Sequence, residues 1–170
     1  MLPGGVASAF DRDKLEILLS DADNTIARYG NVMFQIRTGR MTLDALARIE
    51  STARLLRVRT TGPVGGFAVL EESATVVPRD VRERQREVLA GLTNDPRTHL
   101  ASVIIGDGVR ATLLRSVIRL IAPRRPRVLM AANLVAAATW LEGALGEPPM
   151  AELLAAVEHV RSVAREKVGH

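Results

Sequence analysis

The chain has 170 residues, 47% of them apolar, and a formal charge of +4 from 23 basic and 19 acidic side chains. That length suits one domain able to bury about 70% of its unfolded surface, and that apolar content excludes general disorder. The absence of cysteine removes disulfides, thiol catalysis and cysteine metal sites, while no apolar run reaches the roughly 20 residues that cross a bilayer.

The start, MLPGGVASAF, lacks the basic opening and long apolar centre of a signal peptide. The expected location is cytoplasmic, with no transmembrane segment. Residues 1–13 read as a flexible leader with Phe10 as its docking side chain. Lys14–Ser20 reads as a first strand, and Asp21–Asn24 as a turn. Thr25–Tyr29 and Val32–Arg37 flank Gly30-Asn31, the pattern of a β-hairpin. In the second run Val32, Phe34 and Ile36 share one face and Met33, Gln35 and Arg37 the other. That alternation predicts an antiparallel strand half-exposed to solvent.

Thr42 is placed to cap a helix, with Asp44 in its first turn. Leu46, Ile49, Ala53 and Leu56 then repeat at helical spacing, to an end near Arg59. Val64–Leu70 is a continuous apolar run, as a central parallel strand requires. Pro78 suits the first turn of a helix reaching about Leu92. Its apolar positions, Val81, Val88 and Leu92, are sparse, so it should be amphipathic and well exposed. Leu100–Ile105 is a further strand, closed by Gly106-Asp107-Gly108. Val109–Ile121 carries helical spacing up to Pro123 and Pro126. Arg127–Ala131 is the last strand and Asn133–Leu145 the helix after it. Gly146-Glu147-Pro148-Pro149 breaks the chain before a final helix, Met150–Val168. Strand and helix alternating after an antiparallel start predict an α/β fold: a mixed, largely parallel sheet with an N-terminal hairpin, covered by helices. The domain is expected over 14–146, with 147–170 as a helical extension.

Three groups of residues are candidates for function. Gly106, Asp107 and Gly108 lie where a strand ends and a helix begins, the place α/β proteins offer to ligands. With Ala111 they fit a loose dinucleotide pattern, but the next acid is Glu142, too far on to hold a ribose. The plain reading is a tight turn capped by Asp107. Ser73 and Thr75 follow the central strand. They serve either as turn residues or as a phosphorylation switch, where added charge beside Glu71 and Glu72 disrupts a contact. The third group is the stripe Leu153, Val157 and Val160, with Ala164, on the final helix. It must be buried, either on its own domain or in self-association or partner docking. Glu158, Arg161, Arg165 and Glu166 fall largely opposite, toward solvent.

Arg115, Arg119, Arg124, Arg125 and Arg127 cluster around one helix end. Without interleaved aromatics for base stacking they read as a solvated surface, and no specific nucleic-acid partner is expected. His99, His159 and His170 are too scattered for a metal site, and Trp140 reads as core. No catalytic constellation is present, so neither enzymatic activity nor a cofactor is expected.

The element order and the segment DNTIARYGNVMFQIRTG, Asp23–Gly39, resemble STAS domains, the fold of bacterial anti-sigma-factor antagonists, and the wider group that includes SEC14-type lipid-binding modules. The resemblance runs roughly over Thr25–Leu145. It implies a non-enzymatic regulatory module that binds a protein partner. In the antagonists a serine in a D-S-[SG] motif is phosphorylated. The corresponding loop here reads Glu71-Glu72-Ser73-Ala74-Thr75, without that motif, and the final helix lies outside a minimal STAS domain. The competing expectation is a small-ligand protein, for a lipid or an anion, using the loops after Leu70 and Ile105.

Overall fold

The computed structural model describes residues 10–121 and 126–168. A single 3-10 turn, Arg12–Lys14, leads into β1 (Glu16–Ser20). β2 (Asn24–Tyr29) and β3 (Val32–Arg37) form the expected hairpin. It turns at Gly30, whose φ of 57° glycine adopts without a Cβ penalty. Thr42 caps α1 (Leu43–Arg59), its hydroxyl accepting from the Ala45 amide at 3.1 Å. β4 (Val64–Leu70), α2 (Arg79–Asn94), β5 (Thr98–Ile104), α3 (Val109–Ile121) and β6 (Val128–Ala131) follow. Asn133 caps α4 (Leu134–Leu145), and α5 (Met150–Val168) closes the order.

The six strands form one sheet in chain order, β1-β2-β3-β4-β5-β6. The first two pairings are antiparallel and the rest parallel. Each crossover therefore steps one strand in the same direction. Right-handed connections then place α1, α2 and α3 on one face of the sheet. On that face Met33 and Val64 pack against Leu46, Ile49 and Leu56 of α1. Leu70 and Ile104 meet Ala111 and Leu114 of α3. The other face is covered by α4 and α5. There Phe34, Ile36, Phe67, Val69 and Val103 join Leu141, Leu153 and Val157. The Phe34 and Phe67 rings, neighbours in register, lie 5.8 Å apart.

Two expectations are corrected. β3 is not half-exposed: it stands between β2 and β4 with helices on both sides, leaving Met33 6% and Arg37 3% exposed. Met33 and Arg37 had read as part of a solvent face, yet both are buried, with Gln35 between them half-buried. The second correction concerns α5. Leu153, Val157 and Val160 are wholly buried within their own domain, against β2, β3 and α4. They offer no surface for self-association, because among the described residues α5 is the helix that packs on that sheet face over β1–β3. The segment after Gly146 is thus part of the domain core rather than an appendage. Phe10 docks as expected, its ring 5.4 Å from Tyr29 and 6.3 Å from His159.

Candidate functional site

The carboxyl ends of β3, β4 and β5 share one rim of the sheet. Parallel strands that end together leave their following loops side by side, and those loops hold both candidate groups. At the centre is Glu71, directly after β4 and 8% exposed. A carboxylate at that depth needs a partner. It has one in Arg161 of α5, 7% exposed. Arg161 Nε donates to Glu71 Oε1 at 2.5 Å and Nη2 to Oε2 at 3.0 Å, a two-pronged pairing of planar groups. Its Nη1 donates to Glu158 Oε1 at 3.1 Å, one helical turn earlier. Arg165 Nη2 stands 3.8 Å from Glu71 Oε1. The hydrogen bonds to Glu71, more than any other influence, raise the pKa of the Arg161 guanidinium. The assignment of Arg161 to the solvent side of α5 is therefore corrected. The helix turns it inward because Glu71 waits at the end of β4.

Glu71 fixes the start of a short loop. Its carbonyl accepts from the Ala74 amide at 2.9 Å, and its own amide donates to the Arg37 carbonyl. Thr75 closes the loop, its amide donating to the Gly39 carbonyl at 3.1 Å and its hydroxyl to the same oxygen at 3.5 Å. The two switch candidates are thus unlike. Thr75 is half-buried and tied to the end of the hairpin, whereas Ser73 is exposed between two anchored ends. Ser73 lines an open groove with Thr38, Glu71, Glu72, Arg110 and Arg165. Ser73 is not at a helix start, since α2 begins only at Arg79.

The Gly106-Asp107-Gly108 loop adjoins this one. Gly106 and Gly108 have φ of 99° and 112°, a region L side chains rarely adopt. A Cβ on Gly106 would lie 3.2 Å from Glu72 Cγ, so Glu72 is the side chain that links the two loops. The turn is held by Arg115, whose Nη2 donates to the Gly106 carbonyl at 3.1 Å. Asp107 is exposed and, among the described residues, makes no hydrogen bond or ion pair, so it does not cap the turn as expected. A second groove runs from Gly106 and Asp107 to Asn133, Leu134, Leu154 and Glu158.

Arg124 and Arg125 of the arginine cluster lie outside the described residues. Arg127 donates to the Thr93 carbonyl at 3.1 Å, so it braces α2. Trp140 is half-buried against the core and meets the His99 ring edge-on at 6.0 Å. Among the described residues no three His, Cys, Asp or Glu side chains gather where a metal ion would sit. No helix among them is long and apolar enough to cross a membrane. Glu71, Arg161 and Glu72, which shape the rim, were not candidates from sequence. An acid at a strand's carboxyl end and an arginine among helix charges carry no mark of meeting. No protein-family model matches the chain, and no curated protein matches it.

Proposed function

We propose that this chain is a non-enzymatic regulatory module that docks a protein partner through the rim at the carboxyl ends of β4 and β5. The observation that supports it is the setting of Ser73. Its hydroxyl is exposed on a loop pinned at one end by the buried Glu71–Arg161 pair and at the other by Thr75 on Gly39. Such a loop presents a fixed shape to a partner with little ordering cost. A phosphate on Ser73 would add close to two negative charges beside Glu71 and Glu72, with Arg110 and Arg165 on the same groove to draw on. The surface a partner meets would change without any change in fold.

The test is affinity capture from the native host with three immobilised proteins: the unaltered chain, Ser73→Glu, and Val58→Glu on the exposed side of α1. The reading expects a protein retained by the first and third and lost by the second. Equal retention by all three would overturn it. The groove from Gly106 to Leu154, part apolar with Arg115 beside it, favours the second reading, a lipid or anion ligand at the same rim. Native mass spectrometry that finds a small molecule carried through purification, and shed by Leu134→Glu, would support that reading instead.

A further inference from the structure

The helical layer of α1 and α2 does not close over the middle of the sheet. Gln35, Ala68 and Ser102 are neighbours in register across β3, β4 and β5. Alternation turns all three toward α1 and α2. They stand on central strands, yet each is half-buried. Their chain neighbours on the opposite face, Phe34, Ile36, Phe67, Val69, Ala101 and Val103, are at most 1% exposed. The short side chains of Gly66, Ala68 and Ser102 leave a hollow of about 70 Å³ under α2. Its walls are largely apolar, with Met33, Leu46, Ile49, Val88 and Leu92 around it and no charged residue on its lining.

Three polar side chains enter this hollow: Gln35, Gln85 and Ser102. Gln85 Oε1 is buried and, among the described residues, has no hydrogen-bond partner. Among the described residues Gln35 Nε2 has only the Met41 sulfur, at 3.9 Å, and thioether sulfur is a weak acceptor. One amide thus lacks a donor and the other a good acceptor, beside an apolar space. Buried polar groups left in that state are destabilising, and in folded proteins they are normally matched.

We propose that the hollow is a binding site for a small uncharged molecule with a short apolar body and a head carrying both a hydrogen-bond donor and an acceptor, as in a short-chain primary amide. The head donates to Gln85 Oε1 and accepts from Gln35 Nε2, and the body lies against Leu46, Ile49 and Val88. Charge is excluded because nothing on the lining would compensate it. Size is limited too. The volume is about half that of a cavity of ~150 Å³ that takes benzene, so the body has only two or three carbons. α2 is the wall able to yield. Its N-cap residue, Pro78, supplies no side-chain hydrogen bond, and the helix buries only Val81, Val88, Leu92 and Thr93 along its length. This site is separate from the rim and does not depend on the regulatory reading.

Titration of the full isotope-labelled chain with propionamide, followed by amide NMR, tests the proposal, with propionate as the charged counterpart of the same shape. Saturable shifts at millimolar propionamide are expected in the Gln35 and Gln85 side-chain amides and along α2, and none with propionate. Gln85→Leu should weaken binding about tenfold, the loss of roughly one hydrogen bond. Ala68→Leu, which fills the floor, should abolish it, and either variant suffices provided its spectrum stays folded. Equal shifts with propionate, shifts scattered over the surface, or no saturation would overturn the site and leave a hollow holding only water.

Discussion

Glu71 and Arg161, 90 residues apart in the chain, form a buried two-pronged ion pair that joins the carboxyl end of β4 to the middle of α5. Both charges have left water, so each depends on the other. Arg161→Met should lower unfolding stability by about 3–5 kcal/mol, toward the lower end because Arg165 stands 3.8 Å from the stranded carboxylate. Replacing both partners by Met should restore most of that loss, since an apolar pair of similar volume needs no solvation. Urea denaturation of the two single variants and the double variant measures this directly. A double variant that loses the sum of the two single losses would show that the pair is not energetically coupled.

Arg37 presents the opposite case. It is 3% exposed and, among the described residues, has no carboxylate partner. Burial lowers its pKa from the ordinary arginine value to about 10. Among the described residues its Nε has no hydrogen-bond partner, and neither does Oδ1 of Asn24, the residue opposite it in register. The folded pKa is depressed, so the cost of the buried charge is fully present below pH 10 and falls away as pH rises above about 10 toward the ordinary arginine value. Arg37→Met should therefore stabilise the protein, by about 1–4 kcal/mol. The gain should be constant from about pH 6 to 9, where both folded and unfolded chains keep the arginine charged. Thermal unfolding across that range checks it, and a lower melting temperature for Arg37→Met would show that the guanidinium has a favourable role.

Removing α5 should prevent folding. Truncation after Gly146 would bare Phe34, Ile36 and their neighbours on the face over β2 and β3, against which α5 packs. The milder Leu153→Ala should cost about 2–5 kcal/mol and leave the oligomeric state unchanged by light scattering. A folded truncated chain would contradict the packing described.

The positions of most elements were legible because periodicity and end signals agree along this chain. Thr42 and Asn133 are oxygen-bearing caps directly before apolar helical repeats, and both act as caps. Val64–Leu70 is uniformly apolar and lies in the sheet interior. Where periodicity says only that a face must be buried, it does not say against what. The stripe on α5 was readable, but its docking on β2 and β3 depends on how many helices the other face already has. The burial of Arg37, Glu71 and Arg161 was hidden for a different reason. Charged residues read as solvent-facing, and only tertiary pairing or confinement reverses that. The hollow under α2 was equally hidden, because it comes from short side chains on β4 and β5, Gly66, Ala68 and Ser102, that meet only in register.

Tyr29 gives a prediction that needs no substitution. It is 4% exposed. Its hydroxyl donates to Glu152 Oε2 of α5 at 2.7 Å and accepts from the Asp11 amide at 3.4 Å, with the Phe10 ring beside it. Burial first, and then the bond to the Glu152 carboxylate, raises its pKa above the usual 10.0. Between the unfolded and folded values the native chain keeps a proton that the unfolded chain has lost. Stability from this group is therefore complete below pH 10 and declines as pH climbs through and above it. The chain has one tyrosine, so phenolate absorbance reports Tyr29 alone. That absorbance should lag behind a free tyrosine at pH 10 and rise together with loss of the helical circular-dichroism signal. Glu152→Gln removes the carboxylate but not the burial, so the titration should move part of the way back toward 10 and stay above it. Ionisation at the ordinary value with the fold intact would show that the Tyr29–Glu152 contact, and with it the docking of α5 over β2, is looser than described.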